Sequence, residues 1–478
     1  MYLGLDLGTS GLKGLLIDET QTPIAEATAP LTVSRPHDGW SEQAPADWIT
    51  AAEAVMDALS RKADLSAVKG IGLSGHMHGA TMLDAADRPL WPCILWNDTR
   101  SAAQATAMDG TPIWREVSGN IVFPGFTAPK VQWIRETHPE IFDQIRTVLL
   151  PKDYLRLWLT GEKVAEMSDA AGTSWLDTGA RDWSDALLEQ AGLSRDVMPR
   201  LVEGADVSGH LRAELCTRWG LPACVPVAGG AGDNAASAVG MGVVQSGQAF
   251  VSLGTSGVLF AACDGFQPDA KTAVHTFCHA LPGMWHQMGV ILAATDALNW
   301  WAALTGSDAA TLTEGLGPLQ APGRTQFLPY LGGERTPLNS ASVRGGFIGL
   351  DHATDRAAGT RAVLDGVAFA LADSRDALAA AGTEISSCVA VGGGTKSDYW
   401  LQSVATALDI ALDIPAQGDF GAALGAARLG MMAATRSTDL ATRPPTARTI
   451  EPVAALTDTY KEAHARYRAA ARHMMELA

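Results

Sequence analysis

Short apolar runs and stretches of helical spacing interleave along the whole chain. Residues 2–5 and 12–17 are apolar runs on either side of Leu-Gly-Thr-Ser-Gly at 7–11. The same pentapeptide returns at 253–257, between apolar runs at 249–251 and 258–262. An apolar run, a glycine-rich turn and a second apolar run predict a tight hairpin. A third extended run is expected at 24–33. Trp48, Ala52, Val55 and Leu59 fall at helical spacing and predict an amphipathic helix. Further short strands are expected at 68–73, 90–96, 224–228 and 387–391. Helical patterning covers 143–160, with Pro151 as an interruption, then 185–191, 299–304, 357–381, 398–408 and the polar tail 456–477. Residues 441–452, rich in Thr, Pro and Ala, predict a surface loop. Alternation of this kind means an α/β fold.

The chain has 478 residues, more than one core usually serves, and 47% of them are hydrophobic. Two domains are the expectation. No apolar run approaches a bilayer span, and the first residues lack the basic-then-apolar pattern of a signal peptide, so a cytoplasmic protein without a membrane partner is expected. A formal net charge of -17 with no basic cluster argues against nucleic acid. The six cysteines contain no Cys-x-x-Cys pair and predict reduced, mostly buried thiols.

Five places carry candidate chemistry. The duplicated turn exposes backbone N–H groups and two hydroxyls, which makes a cradle for phosphate oxygens, and two copies suggest duplicated domains facing one nucleotide. Asp6 is a carboxylate inside an apolar strand, costly unless paired or bound to a cation. Either nearby turn amides or Mg2+ beside the phosphates would satisfy it, and the metal is the favoured reading. Asp233 follows the glycines of 229–232 and opens a helical stretch. An N-cap explains such an Asp, and so does a general base for a hydroxyl. A dinucleotide fingerprint at Gly230, Gly232 and Ala235 is set aside, because no acid occurs between Asp233 and Asp264. His76 and His78 lie in a polar loop after a strand. His275 and His279 lack the Glu of a zinc-helix motif, so a small polar ligand suits the 74–79 loop better than a metal. Gly392, Gly393 and Gly394 let a flat ligand or phosphate approach the backbone. A Walker loop is excluded because Gly-Lys never occurs.

Together these residues resemble the FGGY carbohydrate kinases. Asp-Leu-Gly-Thr-Ser-Gly at the start, Met-His-Gly at 77–79, Gly-Asp-Asn-Ala-Ala at 232–236, Ser-Leu-Gly-Thr-Ser-Gly at 252–257 and the triple glycine at 392–394 occur in that order. Stretches at 96–98, 124–130, 150–154, 168–173 and 333–337 agree, so the resemblance spans nearly the whole chain. It implies two duplicated ribonuclease-H-like (actin-like ATPase) domains with a cleft between them. Residues 1–238 would bind sugar and phosphate, and residues 239–478 the nucleotide. It further implies that Asp233 is the catalytic base and that Met77, His78, Asn234 and Trp96 contact sugar. Thr9, Ser10, Lys13, Gly254, Thr255, Ser256, Gly393 and Gly394 would hold ATP, with Asp6 at Mg2+. The expected acceptor is the linear ketopentose D-xylulose, phosphorylated at O5, with His78 at its carbonyl end. Ribulose, gluconate or another polyol stays open, as does a homodimer. His76 and Ala231 depart from the family pattern. The 74–79 loop lacks the Gln-Arg-Glu run of glycerol kinases, which counts against glycerol. The rival classes are an actin-like ATPase and a non-catalytic sugar-binding regulator.

Overall fold

The computed structural model describes residues 1–416 and 421–478. Among these, each half of the chain builds one seven-stranded mixed sheet. In the first, β1 (Tyr2–Leu7), β2 (Gly11–Ile17) and β3 (Pro23–Pro30) form an antiparallel meander, and β1 runs parallel to β4 (Gly70–Gly75). β5 (Val207–His210), β6 (Pro226–Ala228) and β7 (Ala231–Gly232) complete it. The order is β5-β6-β4-β1-β2-β3, with β7 paired to β4.

The second sheet contains β8 (Gln248–Leu253), β9 (Gly257–Cys263), β10 (His275–Cys278), β11 (Trp285–Ile291), β12 (Ser387–Val391), β13 (Leu412–Pro415) and β14 (Thr446–Ile450). Its order is β10-β11-β9-β8-β12-β13-β14. The run β3-β2-β1-β4-β6 of one sheet is therefore matched by β11-β9-β8-β12-β13 of the other. In both, a three-stranded antiparallel meander is extended by two parallel strands. This is the duplicated, actin-like arrangement.

β1 is buried on both faces, which explains its nearly unbroken apolar sequence. On one side α1 (Pro45–Lys62) packs through Trp48, Ala52, Val55 and Leu59. The long connection between β4 and β5 supplies α2 (Pro151–Thr160), and the connection between the sheets supplies α3 (Asp233–Met241). The second half adds α4 (Arg356–Ala380), α5 (Asp398–Leu408), α6 (Gly421–Thr435) and α7 (Thr457–Glu476). α6 does not stay with the second sheet. It lies on β1 and β4, where a Cβ on Gly4 would sit 2.1 Å from Ala423 O and one on Gly72 would sit 1.8 Å from Ala426 O. Glycine in these two strands lets a helix backbone touch a sheet backbone.

Two local expectations change. Residues 147–149 are a strand, and Pro151 begins α2 instead of interrupting a helix. A proline at the first helical position has its φ preset and gives up only an N–H that has no helical partner anyway. Inside the expected loop 441–452 lies β14, an exposed edge strand paired with β13 through the β-branched Thr449 and Ile450. Among the described residues no helix is long and apolar enough to cross a membrane. Cys224 is exposed, and the other five cysteines are buried and free.

Candidate active site

Both copies of Leu-Gly-Thr-Ser-Gly are hairpins, but they close in different registers. In the first, Leu7 faces Leu12, and Gly8 N donates to Gly11 O at 3.0 Å. In the second, Leu253 faces Gly257, so the loop is only Gly254, Thr255 and Ser256. The neighbours account for the difference. Trp96 Nε1 donates to Thr9 Oγ1 at 3.0 Å and Gln43 Nε2 to Thr9 O at 2.8 Å. In the second hairpin, Thr295 N and Ala294 N, at the start of helix Thr295–Leu304, donate to Gly254 O and Thr255 O at 2.9 and 2.8 Å.

A cleft of about 730 Å³ opens between the sheets. Asp6, Lys13, Asn234 and Gly393 line it, with Arg428 and Arg443. Gly392 sits at φ 92°, the left-handed region that favours glycine. Gly393 has no such need: a Cβ there would meet nothing within 4 Å. Gly394 is buried, and its Cβ direction is blocked by Leu253 at 2.7 Å and Trp400 at 3.0 Å. Thr9, Ser10, Gly254, Thr255, Ser256 and Gly394 are not among the lining residues of this cleft.

Asp6 and Asp233 form an acidic pair in which the charge of Asp6 acts on Asp233. Burial pushes the Asp6 carboxyl up, and Ser74 and Lys13 only partly offset it. Lys13 lies directly across the hairpin from Asp6 and also reaches Glu26 at 3.2 Å. Asp233 is the first residue of α3, with Gly232 at the cap position. Burial raises its pKa to about 6 against hydrogen bonds from Asn234, and the charge of Asp6 adds to the rise. Asn234 N and Nδ2 donate to Asp233 Oδ1 at 2.7 and 3.0 Å, which fixes the carboxylate's orientation.

Met77 and His78 follow the end of β4, and Met77 reaches the turn before Asp233. A Cβ on Gly232 would lie 2.8 Å from Met77 Cγ, so Met77 packs directly beneath the residue before Asp233. His78 has φ 71°, and its carbonyl is pinned by Lys130 Nζ at 2.8 Å and Thr127 Oγ1 at 3.1 Å. Its ring stacks on Phe126 with centroids 4.5 Å apart. Nδ1 donates to Gly172 O at 2.7 Å. Burial, helped by Lys130 and Arg335, lowers the His78 pKa to about 3 against that bond, so the ring is neutral. Nε2 is then an acceptor only. His76 points elsewhere, into the core against Trp48. Ala231 is buried in β7 and needs no glycine, because Gly230 takes the left-handed φ of 78°.

The N-terminal domain model of the FGGY family of carbohydrate kinases matches residues 1–240, and the C-terminal domain model matches residues 249–434. The chain belongs to this family. It is 50% identical over 437 residues to a xylulose kinase of Escherichia coli (strain K12), covering 91% of this chain and 90% of that one. It is also similar to the solved structure of a xyloylose kinase from Brucella ovis, at 59% identity, TM-score 0.98 and full coverage of both chains. A xylulose kinase from Rhodospirillum rubrum follows at 28% identity and TM-score 0.93, over 100% of this chain and 99% of that one.

This FGGY kinase also contains a charged network that residue patterns alone do not reveal. Lys152, at the start of α2, lies between Asp153 at 2.8 Å, Asp169 at 2.9 Å and Glu166 at 3.2 Å, all with fully buried side chains. Burial works against the Lys152 charge, and the three carboxylates outweigh it and hold the ammonium protonated. Glu166 accepts from Ser168 N and Oγ, and Ser168 Oγ in turn accepts from Gly232 N at 3.1 Å. The network ends one residue before Asp233. The sequence signal was present in the 150–154 and 168–173 stretches, but nothing in them said that they meet.

Proposed function

We propose that this chain is an ATP-dependent kinase that phosphorylates D-xylulose at O5. The observation that carries this reading is the position of Asp233. It starts α3 with a raised pKa, beside Asp6 and the cleft, with Met77 packed directly beneath Gly232. The xylulose kinases among its relatives support the choice of sugar.

In this proposal residues 1–238 bind sugar and phosphate, residues 239–478 bind nucleotide, and α6 ties the second part to the first sheet. Phosphoryl transfer asks the protein mainly for positioning and charge neutralisation. Thr9, Ser10, Gly254, Thr255 and Ser256 approach the phosphates with the two hairpins, Lys13 adds positive charge, and Gly393 and Gly394 flank the nucleoside. Asp233 accepts the O5 proton as that oxygen attacks the γ-phosphorus. A pKa near 6 leaves it largely ionised at neutral pH yet basic enough to take a proton. His78 Nε2 accepts a hydrogen bond from a sugar hydroxyl. With Nδ1 committed to Gly172 O, the neutral ring has no second N–H for the ketose carbonyl, which favours a hydroxyl as the partner of His78 over the carbonyl expected for it.

Mg2+ fits the residues present. Among the described residues no group of three or more His, Cys, Asp or Glu could cage a metal. Mg2+ ordinarily needs one or two carboxylates and completes its shell with water and phosphate. Asp6, whose burial Ser74 and Lys13 offset only in part, would hold it. When bound, the ion neutralises phosphate charge.

An ADP-release assay across D-xylulose, D-ribulose, gluconate and glycerol tests the function. D-Xylulose should give the highest kcat/KM. A preference for another polyol would overturn the substrate, and absence of sugar-dependent ADP release would overturn the kinase activity.

A further inference from the structure

Arg335 has no partner that explains it. Its side chain is half-buried, and burial works against its charge. Among the described residues it makes no ion pair and its guanidinium donates no hydrogen bond to protein; it lies over the face of Phe123, 4.7 Å from the ring centroid. Glu334 is adjacent, but Glu334 Oε1 is taken by Leu292 N at 3.0 Å and Arg335 N at 2.7 Å. A guanidinium has five donors, and with no protein acceptor those of Arg335 still reach solvent and are open to a ligand. The position is nonetheless built. Glu334 pairs with Ser340 through both backbone groups. Thr336 is tied to Val290 of β11 by its N–H and its hydroxyl, both at 3.0 Å.

The surroundings say what the donors await. Phe123 packs on Phe126, and Phe126 stacks on His78, so Arg335 stands over the same aromatic wall as the proposed sugar contact. Its charge reaches His78 and His275. His78 offers only an acceptor to the sugar. A ketose also carries a carbonyl oxygen, which accepts and never donates, and among Met77, His78, Asn234 and Asp233 the one side-chain donor left is the Asn234 amide, held against Asp233 by one of its two hydrogens.

We propose that Arg335 binds the sugar, donating to the C2 carbonyl oxygen of the ketose at the end remote from Asp233. This makes it the residue that separates a ketose from its reduced polyol, and it comes from the second half of the chain while His78 comes from the first. The inference rests on the ketopentose reading above.

The test uses full-length wild type, Arg335→Met and Arg335→Lys, with D-xylulose, xylitol and ATP titrated separately. Wild type should favour D-xylulose over xylitol. Arg335→Met should lower kcat/KM for D-xylulose by roughly 10–100-fold, the range of a charged hydrogen bond, and bring the ketose-to-polyol ratio close to one. KM for ATP should stay near the wild-type value. Arg335→Lys keeps the charge without the planar fork and should fall between the two; it carries the test if the Met variant does not fold. A preserved ketose-to-polyol ratio, or a rise in KM for ATP with the sugar unaffected, would overturn the assignment. If wild type itself ignores D-xylulose, the ketopentose reading fails before either variant is compared.

Discussion

Asp233 works against the fold that holds it. Its carboxyl ionises at about 6 in the native state, against 3.8 for the unperturbed group. A raised carboxylate pKa means that the native state binds the proton more tightly than the unfolded chain does. Below pH 4 both states are protonated and the site costs nothing; as pH rises through 6 the stability is lost, reaching about 1–3 kcal/mol at neutral pH. Asp233→Asn removes that charge and keeps an acceptor for Asn234 N. The variant should therefore melt at a higher temperature while kcat falls by roughly 10²–10⁴-fold. A variant that is less stable, or that phosphorylates sugar at the wild-type rate, would contradict the assignment. In wild type, kcat/KM should climb with pH and level off above about pH 6–7, because the base must be ionised. At this scale Asp233, Asn234, Met77 and His78 were legible, since each stands in a short local motif. The tautomer of His78 was not, because it depends on Gly172, far away in sequence. Arg335 was visible within the 333–337 stretch, but its lack of a partner is a tertiary fact.

Elements were legible where apolar spacing and turn chemistry agreed, as in β12, α5 and both hairpins. They were missed where one residue has two uses, as with Pro151, or where an edge strand is too polar to read, as with β14. The hairpin register could not be read from identical pentapeptides, because Trp96 and Gln43 hold one loop and helix Thr295–Leu304 holds the other. Glycine has different causes within these turns. Gly392 needs its positive φ, whereas Gly254 has ordinary space, with Ser256 O 3.5 Å from an added Cβ, and Gly393 has open space. Neither backbone conformation nor protein packing requires glycine at those two positions, which leaves the approach of a ligand. Gly254→Val and Gly393→Val should each fold with little change in melting temperature. Each should bind a non-hydrolysable ATP analogue at least about tenfold more weakly by calorimetry, roughly 1.4 kcal/mol. Unchanged affinity would remove that turn from the nucleotide site. The Lys152 network predicts the opposite pattern. Lys152→Met leaves Glu166 and Asp169 without their buried cation, while Asp153 keeps Arg156 at 3.1 Å, and should cost about 3–5 kcal/mol in denaturant unfolding. A neutral result would mean that the cluster is not held by its charge.

Across the whole molecule, the two sheets meet through the crossing of α3 and α6. The crossing is unusually close. An added Cβ on Gly425 would lie 1.8 Å from Ala236 O, and one on Gly240 would lie 2.2 Å from Gly421 O. Backbone rests on backbone there, and Arg428 of α6 donates to Val239 O and Gly240 O of α3 at 2.9 and 3.0 Å, which ties the two helices together. α3 carries Asp233 at its first residue, and α6 lies along β1, whose Asp6 lines the cleft. A small rotation at the crossing would therefore move the proposed base relative to the proposed phosphate site, and closure of the cleft would exclude water that hydrolyses ATP. Small-angle scattering should show a smaller radius of gyration with D-xylulose and a non-hydrolysable ATP analogue together than with neither. Gly425→Ala forces the helices apart and should cost about 1–3 kcal/mol, as overpacking does. Its contraction with both ligands should be reduced, and kcat and KM should change together, because the defect lies in the moving part and not in the chemistry. If folded Gly425→Ala contracts as fully as wild type, the crossing is not the hinge, and the rotation must be sought in the 242–247 connection between α3 and β8.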